Sequence, residues 1–160
     1  MSALLLHSCC APCTTMVFKH FCEEGFAVKS LFYNPNIQPS EEFERRRSTM
    51  EEYASRVGLE IVFKDSDIIL QEKDCINCYT TRLSTTAQMA AELGFEGFST
   101  TLLISPYQKH ELLQKIGEDN GAKYGVKFYY CDFRPDFYAS QKMAKELGLY
   151  RQKYCGCGGV

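Results

Sequence analysis

The 160-residue sequence has no exact internal repeat, no low-complexity tract and no long Pro/Gly/Ser-rich linker. Nothing divides it, so one compact domain over residues 1–160 is expected, and the length suffices for a single core. Long apolar runs are also missing. The start, Ala3-Leu4-Leu5-Leu6, is brief, has no cationic leader and meets His7 and cysteines at once. It is expected to be neither a signal peptide nor a spanning helix, which places the protein in the cytoplasm with no membrane partner. Neither sign of charge dominates: the net charge is −2, so no whole-molecule field gathers nucleic acid, and any that binds must meet a local basic patch. Hydrophobic residues at 45% and charged residues at 24% exclude disorder.

Against these absences stand nine cysteines. In a reducing cytoplasm a scaffold of structural disulfides is a poor explanation, and metal or redox chemistry a better one. Seven of the nine are grouped: Cys9, Cys10 and Cys13 in "HSCCAPCT", Cys75 and Cys78 in "CINC", and Cys155 and Cys157 in "CGCGG". Cys22 and Cys131 stand alone and read as small buried hydrophobes.

Apolar runs at 4–8, 28–33, 59–64, 97–104 and 126–132 predict five strands. Apolar spacing of three and four predicts helices around Phe43 to Val57 and Leu83 to Leu93, stopped by Gly58 and Gly94, with further helices over 14–24, 108–118 and 136–147. Strand alternating with helix gives an α/β fold: a five-stranded, mostly parallel sheet covered by helices on both faces. Ligands bind such sheets beyond the carboxyl ends of the strands. Cys9, Cys10 and Cys13 follow strand one. Cys75 and Cys78 fall between strand three and a helix beginning near Tyr79, on the same edge, and the glycine-rich tail over 148–160 can fold back across it.

Cys75-Ile-Asn-Cys78 has metal-ligand spacing, and with Cys9 and Cys10 it supplies four soft ligands for zinc or an iron–sulfur cluster. Cys155-Gly-Cys157 suits either a strained, reducible disulfide or, with Cys13, a second metal. Two other classes remain open. Cys10-Ala-Pro-Cys13 mimics a thioredoxin-like dithiol, and the cysteines could staple loops around zinc in an RNA-binding module. Arg45 to Arg47 read as a solvated helix face or a phosphate contact, and Arg82 as facing either the site or solvent. Asp132 and Arg134 read as a salt bridge or a substrate contact, and His7 as a core histidine or one that orients a thiol.

The blocks "LLHSCCAPC", "FYNPNIQP", "CINCYTTRL", "FSTTLLISPYQ", "DFRP" and "GLYRQKYCGC" together resemble the QueH type of epoxyqueuosine reductase over nearly the whole chain. The resemblance implies two-electron deoxygenation of epoxyqueuosine to queuosine at the wobble position of tRNA, with an external electron donor and without cobalamin. It also implies Cys9, Cys10, Cys75 and Cys78 as [4Fe-4S] ligands, Cys13 as a ligand of an adjacent iron, and Cys155 with Cys157 as a redox-active pair. The family fold looks like the adenine-nucleotide hydrolase type of sheet. HSCCAPC replaces the phosphate loop of those ATP users, which tells against ATP. Tyr107, His7 and Asp132 are the candidate proton donors. Arg134, Arg151, Lys153 and Arg45 to Arg47 are the candidate phosphate contacts, giving a tRNA affinity that weakens with salt.

Overall fold

A computed structural model describes residues 2–35, 37, 40–64 and 75–152. Five strands and five α-helices alternate among them: β1 (Ala3–His7), α1 (Ala11–Glu23), β2 (Ala27–Phe32), α2 (Ser40–Val57), β3 (Glu60–Phe63), α3 (Cys75–Glu92), β4 (Gly97–Thr100), α4 (His110–Tyr124), β5 (Lys127–Phe128) and α5 (Phe137–Glu146). All strand pairs are parallel, in the order β3-β2-β1-β4-β5. Right-handed crossovers therefore send α1 and α2 to one face, and α3 and α4 to the other. The packing agrees, with α3 against α4 and β1, and α1 against α5 and α2.

β1 is the central strand, and Leu4, Leu5 and Leu6 are each fully buried. A continuous apolar run, rather than an alternating one, is what a strand covered on both faces requires. Each leucine contributes about 1.5–3 kcal/mol relative to exposure. Gly58 and Gly94 end α2 and α3 at φ of +71° and +72°, a left-handed conformation that most side chains resist.

Several expected boundaries move for local reasons. The fourth strand stops at Thr100, because its Oγ1 accepts the Leu102 N–H and turns the chain into a 3₁₀ helix over Thr101–Ile104. α1 starts at Ala11, with Pro12 in its first turn, where a missing N–H costs nothing. α3 starts at Cys75, so Cys75 and Cys78 occupy its first turn rather than the preceding loop. α4 runs on to Tyr124. β5 spans two residues, leaving Cys131 in the following loop. Neither solitary cysteine is buried: Cys22 is exposed and Cys131 half-buried. Among the described residues no helix is long and apolar enough to cross a membrane.

The chain after α5 returns toward the sheet edge. Leu149 is buried, Tyr150 donates its hydroxyl to Glu42 Oε1 at 2.7 Å, and Gln152 Nε2 donates to Cys10 Sγ at 2.8 Å. Lys153, Cys155 and Cys157 lie outside the described residues.

Candidate metal centre and active site

Strand order reverses between β1 and β4, where the chain leaves toward opposite faces and opens a crevice. The residues immediately beyond these two strands are tied together. His7, fully buried, bonds Thr100 Oγ1 through Nδ1 at 2.9 Å and the Tyr33 carbonyl through Nε2 at 3.0 Å. The carbonyl can only accept, so Nε2 carries the proton and Nδ1 accepts from the threonine hydroxyl. Two residues on from His7, Cys9 N–H donates to Thr101 Oγ1 at 3.0 Å, and the same hydroxyl donates to Cys9 Sγ at 3.1 Å. The cysteine loop is thus fixed by hydroxyls more than ninety positions away.

Cys10 is the N-cap of α1 and Cys13 lies in its first turn. Their sulfurs and that of Cys9 lie within 4.8 Å of one another, with Cys9 Sγ and Cys10 Sγ 3.8 Å apart. In a tetrahedral site with metal–sulfur bonds of about 2.3 Å, neighbouring sulfurs are about 3.8 Å apart. The trio can therefore hold a metal ion. Its proton balance agrees, since hydrogen bonds from the Cys10 and Cys13 thiols hold the Cys9 thiol well below its ordinary range, with Thr101 assisting. Burial drives Cys10 upward, and bonding to Cys10 and Cys9 drives Cys13 upward. A thiol of lowered proton affinity beside two further sulfurs is a donor set suited to a soft cation. It is also a poor thioredoxin-like dithiol, because the leading cysteine of such a pair needs a depressed proton affinity, and in Cys10-Ala-Pro-Cys13 the leading cysteine has a raised one.

Cys75 and Cys78 pack against the core cluster that contains Cys10 and Cys13. Cys78 Sγ accepts from Arg82 Nη1 at 2.9 Å, and Arg82 Nε donates to Asn34 Oδ1 at 3.2 Å. Asn34 in turn donates to the Ser8 carbonyl at 3.1 Å. Arg82 is buried and faces the site, linking the α3 cysteines to the β1 loop. Among the described residues, the close-spaced sulfur group is Cys9, Cys10 and Cys13, without Cys75 or Cys78. A four-iron cube sets its ligand sulfurs wider apart than a single ion does, so Cys9 and Cys10, 3.8 Å apart, would have to separate to ligate one.

A cavity of about 350 Å³ opens beside the sulfurs. Cys9 and Cys13 form one wall, and Leu102 and Phe137 supply apolar surface. Gln108, Gln141 and Gln152 bring amides, and Arg46, Ser105 and Tyr107 complete it. Gln108 accepts the Tyr79 hydroxyl at 2.6 Å. Arg46 overturns the solvated-face reading of its segment: it is buried, with Nε 2.6 Å from the buried Glu42 carboxylate. Glu42 and Arg46 stand four apart on one helix, a spacing visible in the sequence.

The remaining candidates divide. Asp132 takes two hydrogen bonds from the Arg134 guanidinium, at 2.8 and 2.6 Å, which hold its carboxyl at about 2. It is ionised at neutral pH and has no proton to donate. His7 commits its single N–H to Tyr33 and is held at about 4 by burial and by Arg82. Tyr107 lines the cavity. Arg134 and Arg151 are exposed.

The model of the family QueH, epoxyqueuosine reductase QueH, matches residues 4–158. The chain belongs to that family. It is similar to the epoxyqueuosine reductase QueH of Dehalococcoides mccartyi, at 40% identity over 96% of this chain and 90% of that relative. It is also similar to that of Thermotoga maritima, at 37% identity over 98% and 89%. The crystal structure of a predicted tRNA methyltransferase subunit from Methanocaldococcus jannaschii superposes with a TM-score of 0.51 at 9% identity, over 91% of this chain and 75% of that one, a likeness of fold. In this QueH chain the cysteine trio occupies the turn from the first strand into α1 and the start of that helix.

Proposed function

We propose that this QueH protein removes the epoxide oxygen of epoxyqueuosine in tRNA, giving queuosine, in the cytoplasm and without cobalamin or ATP. The carrying observation is the convergence of Cys9, Cys10 and Cys13 at the sheet's switch point, with Cys9 and Cys13 lining the cavity there. In this reading Cys9, Cys10, Cys75 and Cys78 hold a [4Fe-4S] cluster, Cys13 serves an adjacent iron, and Cys155 with Cys157 form the redox pair. Such a group supplies electrons one at a time when bound.

The conversion consumes two electrons and two protons and releases water. The chain's own residues orient the substrate and manage protons. Leu102 and Phe137 exclude water from the sulfur wall, while the amides of Gln108, Gln141 and Gln152 offer donors and acceptors to a polar ring system. Arg46 adds a fixed cation whose position Glu42 sets. With Asp132 ionised and the His7 proton committed, Tyr107 is the candidate donor placed on the cavity wall. Gln152 is bonded to Cys10, which supports a reading in which Cys155 and Cys157 deliver the electrons.

The test is anaerobic reconstitution with iron and sulfide, then incubation with tRNA carrying epoxyqueuosine and a strong reductant, with nucleosides analysed by mass. Loss of one oxygen is expected, and Cys75→Ala should abolish both colour and turnover. An unchanged nucleoside, or a colourless protein holding zinc, would contradict the proposal.

A further inference from the structure

At the cavity rim three aromatic rings stand edge to face in a row. Tyr107 on the wall lies 6.1 Å from Phe137 between ring centres, at 86°, and Phe137 lies 5.6 Å from Tyr138, at 73°. Tyr107 and Tyr138 are each 83% exposed, more than any other exposed large apolar residue among those described. The backbone that carries them is firmly held. Tyr107 N–H donates to Ser105 Oγ at 3.1 Å, and His110 Nε2 bonds the Ser105 carbonyl at 3.1 Å. The Tyr79 hydroxyl accepts the Lys109 N–H at 3.0 Å. Tyr138 stands in the first turn of α5, where Ser140 Oγ donates to the Phe137 carbonyl at 2.7 Å. Rings pointed into water from a fixed backbone, at the rim of a cavity, mark a contact surface.

The cavity has room for one nucleoside-sized group. A base that enters it leaves its stack, and its neighbours lose an aromatic face. We propose that Tyr107 and Tyr138, braced through Phe137, are a stacking platform for the nucleotides flanking the base that enters the cavity. This rests on the tRNA reading above and names what grips the loop. The net charge of −2 favours it, since a molecule with no overall attraction for phosphate gains from a source of affinity beyond its local basic contacts.

The test uses the reconstituted full chain and an RNA hairpin carrying the anticodon loop, with 2-aminopurine beside the wobble position. Affinity is read by anisotropy and stacking by fluorescence quenching. Tyr107→Ala and Tyr138→Ala should each weaken binding by about 5- to 150-fold and lose quenching. Tyr107→Phe and Tyr138→Phe should keep both, and Leu93→Ala, in the turn that follows α3, should change neither. Alanine variants that bind and quench like the wild type overturn the platform, as does a wild type that does not bind the hairpin. If RNA binding stands while turnover with a protein reductant falls, the rings serve a protein partner and the platform is likewise overturned. Ring-dependent binding without oxygen removal from tRNA would sink the reductase reading and leave the platform standing. Oxygen removal with ring-independent binding would do the reverse.

Discussion

Mild acid should destabilise the metal-free, reduced protein through His7. In the fold this ring is neutral and fully buried, with Nε2–H given to the Tyr33 carbonyl and Nδ1 filled by the Thr100 hydroxyl, which also accepts the Leu102 N–H. A second ring proton would displace the threonine hydroxyl and stand beside the Arg82 guanidinium, whose charge opposes it, while Cys9 favours it. Burial is the largest cause, and the group is lowered from 6.5 to about 4. The unfolded chain binds this proton below pH 6.5 and the folded chain does not, so stability is lost as pH falls through that window. At about 1.4 kcal/mol per pH unit the full effect is about 3 kcal/mol, of which about 2 kcal/mol falls between pH 7 and pH 5. Urea unfolding at the two pH values, compared with His7→Gln, isolates this contribution from the carboxylates and thiols shared by both proteins. The wild type should lose about 2 kcal/mol more than the variant. Equal losses would refute the assignment of a buried, neutral His7.

Breaking the buried pair with Arg46→Leu strands the Glu42 carboxylate and should cost about 3 kcal/mol in denaturant unfolding, the lower end for such pairs because Tyr150 still donates to Glu42. Adding Glu42→Gln should recover most of that loss. Gly121→Ala places a methyl 2.6 Å from the Val126 carbonyl oxygen, a backbone atom that cannot step aside, and should lower stability by about 1–3 kcal/mol, read as a drop in Tm. Cys22→Ala, at an exposed position on α1, should leave iron content and turnover unchanged.

The sheet was legible because its signals are local: the Leu4 to Leu6 run, the glycines that stop α2 and α3, and the alternation of strand with helix. The gathering of sulfurs at one edge followed from the same order. Their partners were not legible, because they come from far along the chain. Thr100 and Thr101 read as strand residues, yet their hydroxyls end β4 and grip His7 and Cys9. Arg46 read as a surface charge because three successive arginines hide which one faces inward, although Glu42 one turn earlier carried the signal. The sequence also allowed Cys10 and Cys13 to be read as a thioredoxin-like dithiol. The fold instead adds Cys9 to them, because the turn leaving β1 directs all three side chains to one point. Phe137 and Gln141 reach the cavity through the docking of α5 on α1, a tertiary contact with no local signature.

The most direct test of the account is the iron and acid-labile sulfide content of protein purified without oxygen, measured on the wild type and on Cys10→Ala. Brown wild-type protein containing both elements, with loss of both in the variant, is the predicted result. Wild-type protein free of iron and sulfide, or a variant that retains them in full, would contradict it.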